Sequence, residues 1–491
     1  MYRKIARLGK HSLVYGVGSL GTRVLGFLLI PVYTRYLTPA DYGVLALCTA
    51  TVGILKIVSL AGIPTALFRS YLLTARSDQE KRKVLGTGLA ALLIAGAAIL
   101  LLLLVLRRPL AFWLFGSDRQ VGFVVLIAWL NFAYIFQAVR NTHFRMQDQS
   151  IRFSIFTLLA FALNLALAVY LVVGRGQGAW GAMSANMASV AVMAALFLPW
   201  SLRQLRRGIS AGICRDLLGY GLPLIPSTLA LWAMNLSDIY ILRIFRSGAE
   251  IGLYNLGYKF GMGVYILTNA FKFAFPKVLF TEARTPQGPL LFQRLVNYYT
   301  AGIGYLCTGV AIYAPELILV ADPKFHAAYR VIPLAVFAYF LFGLVPLLGL
   351  GIDVTGRMHL LSVVFLGGAG ANIALNLLLI PRFGMLAAAG TTLATYILVP
   401  AAVYLVSRRL YPLRLEWNRL ARAAVLLAAI GAGSLLIPFP SLPARLLAKL
   451  LLLLLYPPAL WLSGFFRQEE KEKIRTVLSR LPVIRALRRL P

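Results

Sequence analysis

The sequence predicts an all-α integral membrane protein of about fourteen transmembrane helices, arranged as two pseudo-symmetric six-helix lobes plus a C-terminal helix pair. Hydrophobic residues make up 60% of the chain, charged residues only 13%, and the mean hydropathy is +0.79. Apolar stretches of about 20 residues recur from Leu13 almost to Phe466. These stretches lack the dyad alternation of barrel strands, so the spans are predicted to be helices.

The apolar stretches and the loops between them give approximate bounds for each span. The predicted helices lie at about 13–33, 41–64, 84–106, 120–140, 152–173, 178–199, 219–243, 250–271, 297–315, 330–352, 359–381, 385–406, 421–438 and 446–466.

Basic residues are distributed unequally between the loops on the two sides of the membrane. Roughly 34 of the 49 Lys and Arg residues fall on the side of the N-terminus, and about 12 on the other side. Cytoplasmic loops carry such an excess, so we expect both termini in the cytoplasm of a multi-pass cell (inner) membrane protein. The net charge of +33 therefore reflects topology, and no nucleic-acid partner is expected.

Two pairs of segments indicate an internal repeat. IPVYTRYLTPADYGVLALCTATVGI from Ile30 and IYILRIFRSGAEIGLYNLGYKFGM from Ile239 share a turn of small and acidic residues before a glycine. LNLALAVYLVVGRGQGAWGA from Leu163 and ANIALNLLLIPRFGMLAAA from Ala371 share an asparagine, a glycine-containing turn and a small-residue helix start. The predicted units are lobes 1–205 and 206–412, the helix pair 413–466 and a basic amphipathic cytoplasmic tail 467–491.

Ionisable side chains inside bilayer-spanning helices are costly and mark functional sites. Arg23 and Lys56 lie in the first predicted hairpin, and Asp238 and Lys259 lie in its repeat partner. If the repeat is correct, all four face one cavity, whose net positive charge favours an anionic ligand such as a diphosphate.

Simpler structural roles compete with these. Lys56 or Lys259 could extend its alkyl chain toward an interface, and Asp238 could pair with Arg243. Three further basic residues at helix ends are candidates for a cytoplasmic entrance, where membrane anchoring also explains them; these are Arg69, Arg140 and Lys272.

No signature of an enzyme or a metal site accompanies these charges. The sequence contains no Walker, GxSxG or HExxH pattern, and its three cysteines and four histidines show no metal-ligand spacing. Short loops on the extracytoplasmic side leave no catalytic domain, which argues against a membrane glycan polymerase or ligase. We therefore expect a non-enzyme with no cofactor and no metal.

Three segments carry a resemblance to a known family. SLGTRVLGFLLIPVYTRYLTPADYGVLAL from Ser19, AEIGLYNLGYKF from Ala249 and ANIALNLLLIPRFGMLAAAGTTLATY from Ala371 resemble the polysaccharide-transporter family of the multidrug/oligosaccharidyl-lipid/polysaccharide (MOP) exporter superfamily, which includes O-antigen flippases. The resemblance implies two six-helix bundles and a cavity lined by basic and charged residues at the places of Arg23, Asp238 and Lys259. Lys56 is a candidate on its own sequence position alone.

The resemblance implies transport of an undecaprenyl-diphosphate-linked oligosaccharide, such as an O-antigen, lipopolysaccharide or exopolysaccharide repeat unit, from the inner to the outer leaflet. This transport is expected to proceed by alternating access. Arg23, Lys56 and Lys259 are expected to bind the diphosphate, and Asp238 to bind a coupling H⁺ or Na⁺. Membrane lipids and glycan polymerase machinery are the expected partners. A lipid II flippase, a multidrug or cation exporter of the same superfamily and a structural scaffold are the alternatives.

Overall fold

The computed structural model describes residues 26–27, 29–206, 208–436 and 441–472, except for the side chains of 265–267, 269–274, 276–278 and 280. All regular elements in this part of the chain are helices. The N-terminal half contains α1 (29–36), α2 (Pro39–Leu60), α3 (Ile63–Arg69), α4 (Asp78–Val105), α5 (Arg107–Phe115), α6 (Val121–Met146), α7 (Ser150–Ala168) and α8 (Gly178–Leu205).

The C-terminal half is followed by three additional helices. It contains α9 (Ala211–Gly221), α10 (Ile225–Phe245), α11 (Gly248–Glu282), α12 (Gly288–Ile312), α13 (Ala314–Leu317), α14 (Ile332–Phe342), α15 (Val345–Leu348), α16 (Leu350–Thr355) and α17 (Met358–Ser407). The additional helices are α18 (Trp417–Leu436), α19 (Leu442–Leu454) and α20 (Tyr456–Leu462).

Ten helical segments of the described chain are long and apolar enough to cross a membrane, and the bent pair Gly288–Ile312 and Ala314–Val320 would make eleven. This count treats α17 as one segment. It includes neither α11 nor the first predicted helix, most of which lies outside the described residues. The all-α membrane architecture is therefore confirmed, and the number fourteen stays a prediction.

The 50-residue helix α17 is a hairpin that reverses at Gly384, where φ is 59° and ψ is −137°. The Asn372 amide donates to the Thr395 hydroxyl at 3.1 Å, and Thr391 donates to Asn376. Residues 372 and 395 would be about 34 Å apart along a straight helix. The hydrogen bonds therefore require two antiparallel helices, as the predicted spans 359–381 and 385–406 imply.

Helices α2 and α11 have similar N-terminal caps, each formed by residues close in the sequence. At α2 the Thr38 hydroxyl accepts from the Asp41 amide, and the Asp41 carboxylate accepts from the Thr38 amide, which forms a capping box. At α11 the Ser247 hydroxyl accepts from the Glu250 amide. We call the end of the bundle where α2 and α11 begin the upper end, and the opposite end the lower end.

The two halves approach closely because glycines lie at the crossing points. At the upper end, a Cβ atom on Gly43 would collide with the carbonyl oxygen of Gly248, and one on Gly252 with that of Pro39. At the lower end, Gly62 and Gly221 make an equally close backbone contact. Larger side chains would separate the halves at these points.

The additional helices α18–α20 pack against α12 and are held there at both ends. At the upper end, Lys449 Nζ lies 2.7 Å from both Glu316 carboxylate oxygens and donates to the Ile312 carbonyl. At the lower end, Arg419 bridges the Glu416 and Glu470 carboxylates at 3.0 and 2.7 Å. The additional helices α18–α20 are therefore fixed to the C-terminal half.

Candidate functional site

A central cavity of about 440 Å³ lies between the two halves and is lined by α2, α10, α11 and α14. Its polar lining includes Thr49 from α2, Asn235 from α10, and Asn255 and Tyr258 from α11. Among the described lining residues, Lys259 is the one that carries a formal charge. The described wall of the cavity is therefore cationic and otherwise amphipathic.

Lys259 bridges the halves directly. Its Nζ donates to the Tyr42 hydroxyl at 2.9 Å and lies 4.4 Å from the centroid of that ring. Lys259 also borders a smaller cavity of about 270 Å³ that is lined by α1 residues, including Phe27 and Tyr33. The ammonium group thus lies between two cavities at the interface of the halves.

Tyr42 connects this lysine to the upper end of the bundle. It is next to the Gly43 crossing, and its ring contacts Phe325 edge to face, with centroids 5.4 Å apart. The segment that carries Phe325 also holds α1, because the Asp322 amide donates to the Thr34 hydroxyl at 3.2 Å. A change at the ammonium of Lys259 can therefore be transmitted to the contacts that close the upper end.

Lys56 does not share the cavity of Lys259, which corrects the expectation that these side chains face one cavity. It lines a separate cavity of about 290 Å³ with the start of α10, including Leu224 and Thr228. Its Nζ lies 3.0 Å from the centroid of the Tyr134 ring. The lysine therefore lies near the lower end of α2 and is held by a cation–π contact.

Asp238 also lies outside the central cavity and does not pair with Arg243. It is 1% exposed and accepts hydrogen bonds from Tyr254 and, at 2.8 Å, from the Ile239 amide. Arg243 instead donates to the Leu114 carbonyl at 2.9 Å, across the interface of the halves. The carboxylate thus lies inside the C-terminal half, one layer behind the cavity wall.

A polar network surrounds this carboxylate. The Thr392 hydroxyl approaches it at 3.4 Å from the second arm of the α17 hairpin. Beyond it, Ser237 donates to Asn372 at 3.4 Å, and Asn376 donates to the same amide oxygen at 3.0 Å. No ion pair is formed by Asp238 within the described chain, so the network offers it hydroxyl and amide groups alone.

The remaining predicted residues have different outcomes. Arg23 and the side chain of Lys272 lie outside the described residues. The Arg69 guanidinium lies 4.9 Å from the Tyr220 ring centroid, at the contact between α3 and α9 at the lower end. Arg140 is 1% exposed and lies over the Phe156 ring, so it does not line an entrance; the packing of α6 against α7 buries it.

Sequence reasoning did not single out the tyrosines that hold the charged groups. Tyr42 holds Lys259, Tyr134 holds Lys56, and Tyr254 holds Asp238. Each of these tyrosines lies on a different helix from the charge that it holds. No local spacing in the sequence therefore signals these contacts.

The amides in the spans serve two roles. Asn131 donates to the Ser59 hydroxyl at 2.7 Å and joins α6 to α2, and Asn372 and Asn376 join the arms of α17. Asn235 lines the central cavity, although its amide donates to the Leu231 carbonyl of its own helix. Most described amides in the spans thus connect helices, and Asn235 is available to a ligand.

The sequence matches the family described as "Polysaccharide biosynthesis protein" over residues 8–280, which is more than half of the chain. The chain belongs to this family. No curated protein matches it. The matched residues include the whole N-terminal half and the α10–α11 hairpin that contributes Lys259 to the cavity.

Solved structures show which fold the family member has. The lipid II flippase MurJ, in an inward closed conformation, superposes with a TM-score of 0.68 at 10% identity, covering 91% of this chain and 98% of that chain. An inward-facing multidrug resistance MATE family transporter of the MOP superfamily superposes with a TM-score of 0.62 at 15% identity, covering 82% and 96%. The protein therefore has the MOP transporter fold, as the resemblance implied.

Proposed function

We propose that the protein is a flippase that moves a polyprenyl-diphosphate-linked oligosaccharide from the inner to the outer leaflet, and that it is not an enzyme. The observation that carries the proposal is the Lys259 ammonium between the two halves, on the wall of the central cavity. Membership of a polysaccharide biosynthesis family supports a glycan as the cargo. The diphosphate supplies the negative charge that a cationic wall attracts.

The lower end of the bundle is the cytoplasmic end in this proposal. Lys and Arg are concentrated in loops on that side, and such loops face the cytoplasm by the positive-inside rule. Both termini then lie in the cytoplasm of a cell (inner) membrane protein. Glycine crossings bring the halves together at both the upper and the lower end, so this conformation is closed at both ends.

Arg23, Lys56 and Lys259 divide the binding of the diphosphate between two stages. Lys56, near the lower end, meets the lipid-linked diphosphate first, and Lys259 receives it deeper in the cavity. Arg23 belongs to the first predicted span, whose last residues form the start of α1 and border Lys259. The glycan occupies the space between the lobes 1–205 and 206–412, and the polyprenyl chain stays in lipid.

Asp238 is the proposed coupling-ion site. A buried carboxylate without a cation is costly, and binding of a proton or Na⁺ neutralises it. The hydroxyl and amide oxygens of Thr392, Asn372 and Asn376 are ligands that suit Na⁺. Because α10, α11 and α17 meet at Asp238, binding an ion there changes the helices that form the cavity wall.

Two rival transport functions make different demands on the cavity. A cation or drug exporter needs an acidic cavity, whereas the described wall presents Lys259 and Asp238 lies behind it. A lipid II flippase is the second candidate, because MurJ has the same fold. The family description favours a polysaccharide precursor over lipid II.

The test deletes the gene in its host and measures the lipid-diphosphate-linked glycan on each side of the membrane. We expect this glycan to accumulate on the cytoplasmic side, and wild-type protein to restore export. Arg23→Ala and Lys259→Ala should insert normally and fail to restore export, whereas Lys324→Ala, at the upper loop, should restore it. Normal glycan export with altered drug sensitivity would instead favour a drug exporter.

A further inference from the structure

A second polar cavity lies within the N-terminal half, away from the interface of the halves. It is a crevice of about 490 Å³ at the lower ends of α4, α6, α7 and α8. A volume of this size is typical of small-ligand sites. The transport path proposed above does not use it.

The mouth of this crevice is basic and rich in hydrogen-bond donors. Lys81, Arg82 and Arg152 line it together with one carboxylate, Asp78. Lys81 Nζ lies 3.9 Å from Asp78, and Arg152 donates to Gln149 at 3.2 Å. Arg82 makes no ion pair within the described chain, so the mouth has a net positive charge available to a ligand.

The inner wall of the crevice is aromatic and contains an unpartnered polar atom. His143 lines it, is 8% exposed, and its Nδ1 has no hydrogen-bond partner among the described residues. Its ring packs on Trp200 with centroids 4.4 Å apart, and Trp200 stacks on Phe197 at 4.5 Å. A buried polar atom left in this state calls for a specific explanation, such as a bound water, an ion or a functional role.

A buried cation lies on the same side of the helix behind this wall. Arg140 precedes His143 by three residues on α6, which places both on one helical face. No carboxylate pairs with Arg140 in the described chain, and its Nε has no hydrogen-bond partner there. A buried guanidinium without a counter-charge adds to the positive potential that an anion at the crevice would neutralise.

The rim of the crevice carries exposed apolar side chains. Leu72, next to the lining residue Tyr71, is 50% exposed, and Ile151, next to Arg152, is 61% exposed. The helix ends here are at the depth of lipid headgroups if the spans cross the bilayer. Basic pockets between transmembrane helices on the cytoplasmic side bind acidic lipid headgroups.

We propose that this crevice is a second binding site, specific for a phosphoester anion, and that its ligand is the headgroup of an anionic membrane lipid. Arg82 and Arg152 bind the phosphate, and His143 and Trp200 form the wall against the rest of the headgroup. The acyl chains lie on the exposed apolar rim. This site is separate from the central cavity, so it does not depend on the proposed cargo.

The experiment uses the purified full chain in detergent and measures lipid adducts by native mass spectrometry. The probes are phosphatidylglycerol, phosphatidylcholine, and glucose 1-phosphate as a soluble phosphoester. The test variant is Arg82→Gln with Arg152→Gln. The control is Arg203→Gln with Arg206→Gln, which removes the same charge from exposed positions at the end of α8 outside the crevice.

We expect wild type to bind phosphatidylglycerol in preference to phosphatidylcholine, with at least tenfold weaker binding in the test variant and unchanged binding in the control. Binding of glucose 1-phosphate but not of phosphatidylglycerol, with the same dependence on Arg82 and Arg152, would support a phosphoester site whose ligand is a soluble molecule. It would overturn the assignment of a lipid headgroup. Equal binding by both variants would overturn the proposal. His143→Gln checks the wall separately, and thermal unfolding confirms that each variant is folded.

Discussion

The Nζ of Lys259 lies 2.9 Å from the hydroxyl oxygen of Tyr42, and this hydrogen bond joins the two halves of the protein at the wall of the central cavity. The ammonium has three N–H donors, so those not used by Tyr42 remain available to a ligand in the cavity. Because Tyr42 is next to the Gly43 crossing at the upper end, this bond links the wall of the cavity to the contacts that close that end.

The first prediction concerns the charge of Lys259. Lys259→Gln removes the cation and keeps a similar length, so we expect glycan export to fall at least tenfold, equivalent to about 1.4 kcal/mol of lost binding energy. Tyr42→Phe keeps the ring and frees the ammonium, so export should persist while the upper end opens more readily. Export rate and the accessibility of a cysteine introduced at the upper end measure the two effects. Full export by Lys259→Gln would contradict the assignment.

The second prediction concerns Asp238. Asp238→Asn fixes a neutral side chain of the same shape within the polar network. Export in vesicles should then lose its response to an imposed H⁺ or Na⁺ gradient. Asp353→Asn, on α16, serves as the control carboxylate and should keep the response. An unchanged gradient response in Asp238→Asn would place the coupling site elsewhere.

The third prediction concerns the glycine crossing between α2 and α11. Gly43→Val adds atoms where the Gly248 carbonyl lies, so the closed upper end should be destabilised by about 1–3 kcal/mol. Gly302→Val, in α12, meets no atom within 4 Å and is the matched control. Thermal unfolding of both purified variants measures the difference. Equal unfolding temperatures would show that the halves are not held together there.

The fourth prediction concerns the ion cluster that fixes the C-terminal helices at the lower end. Burial raises the pKa of Glu470, but hydrogen bonds from Tyr298 and Arg467 and the charge of Arg419 outweigh it and leave the pKa below the usual value. For Glu416, burial likewise raises the pKa, but the hydrogen bond from Arg467 and the charges of Arg419 and Arg467 lower it by more. Its pKa is therefore also below the usual value.

A lowered carboxyl pKa in the folded state stabilises the fold above the unfolded-state pKa of about 4.3. This stabilisation is lost as the pH falls through the lower, folded-state pKa. Glu470→Gln should therefore lower the free energy of unfolding at pH 7 by about 3 kcal/mol and flatten its dependence on acid pH. Glu469→Gln, at a side chain that is 76% exposed, is the control. Identical acid profiles for both variants would contradict this role.

The sequence alone determined the membrane class, the approximate position of each described span and the family. Apolar length and the excess of basic loops are local properties, so they survive whatever the helices pack against. The turn at Gly384 was likewise visible, since the glycine and Pro381 interrupt a run too long for one span. Asp41 and Glu250 occupy the same position, three residues after the N-cap of α2 and of α11, and this match follows from local capping chemistry.

Only the tertiary structure decided where the charges point. Spacing placed Lys56, Asp238 and Lys259 in matching hairpins, but it could not give the rotation of each helix about its axis. Packing turned Asp238 into the C-terminal half, directed Lys56 toward the lower end and left Lys259 on the cavity wall. It also buried Arg140, because helix rotation depends on neighbouring side chains from distant parts of the chain.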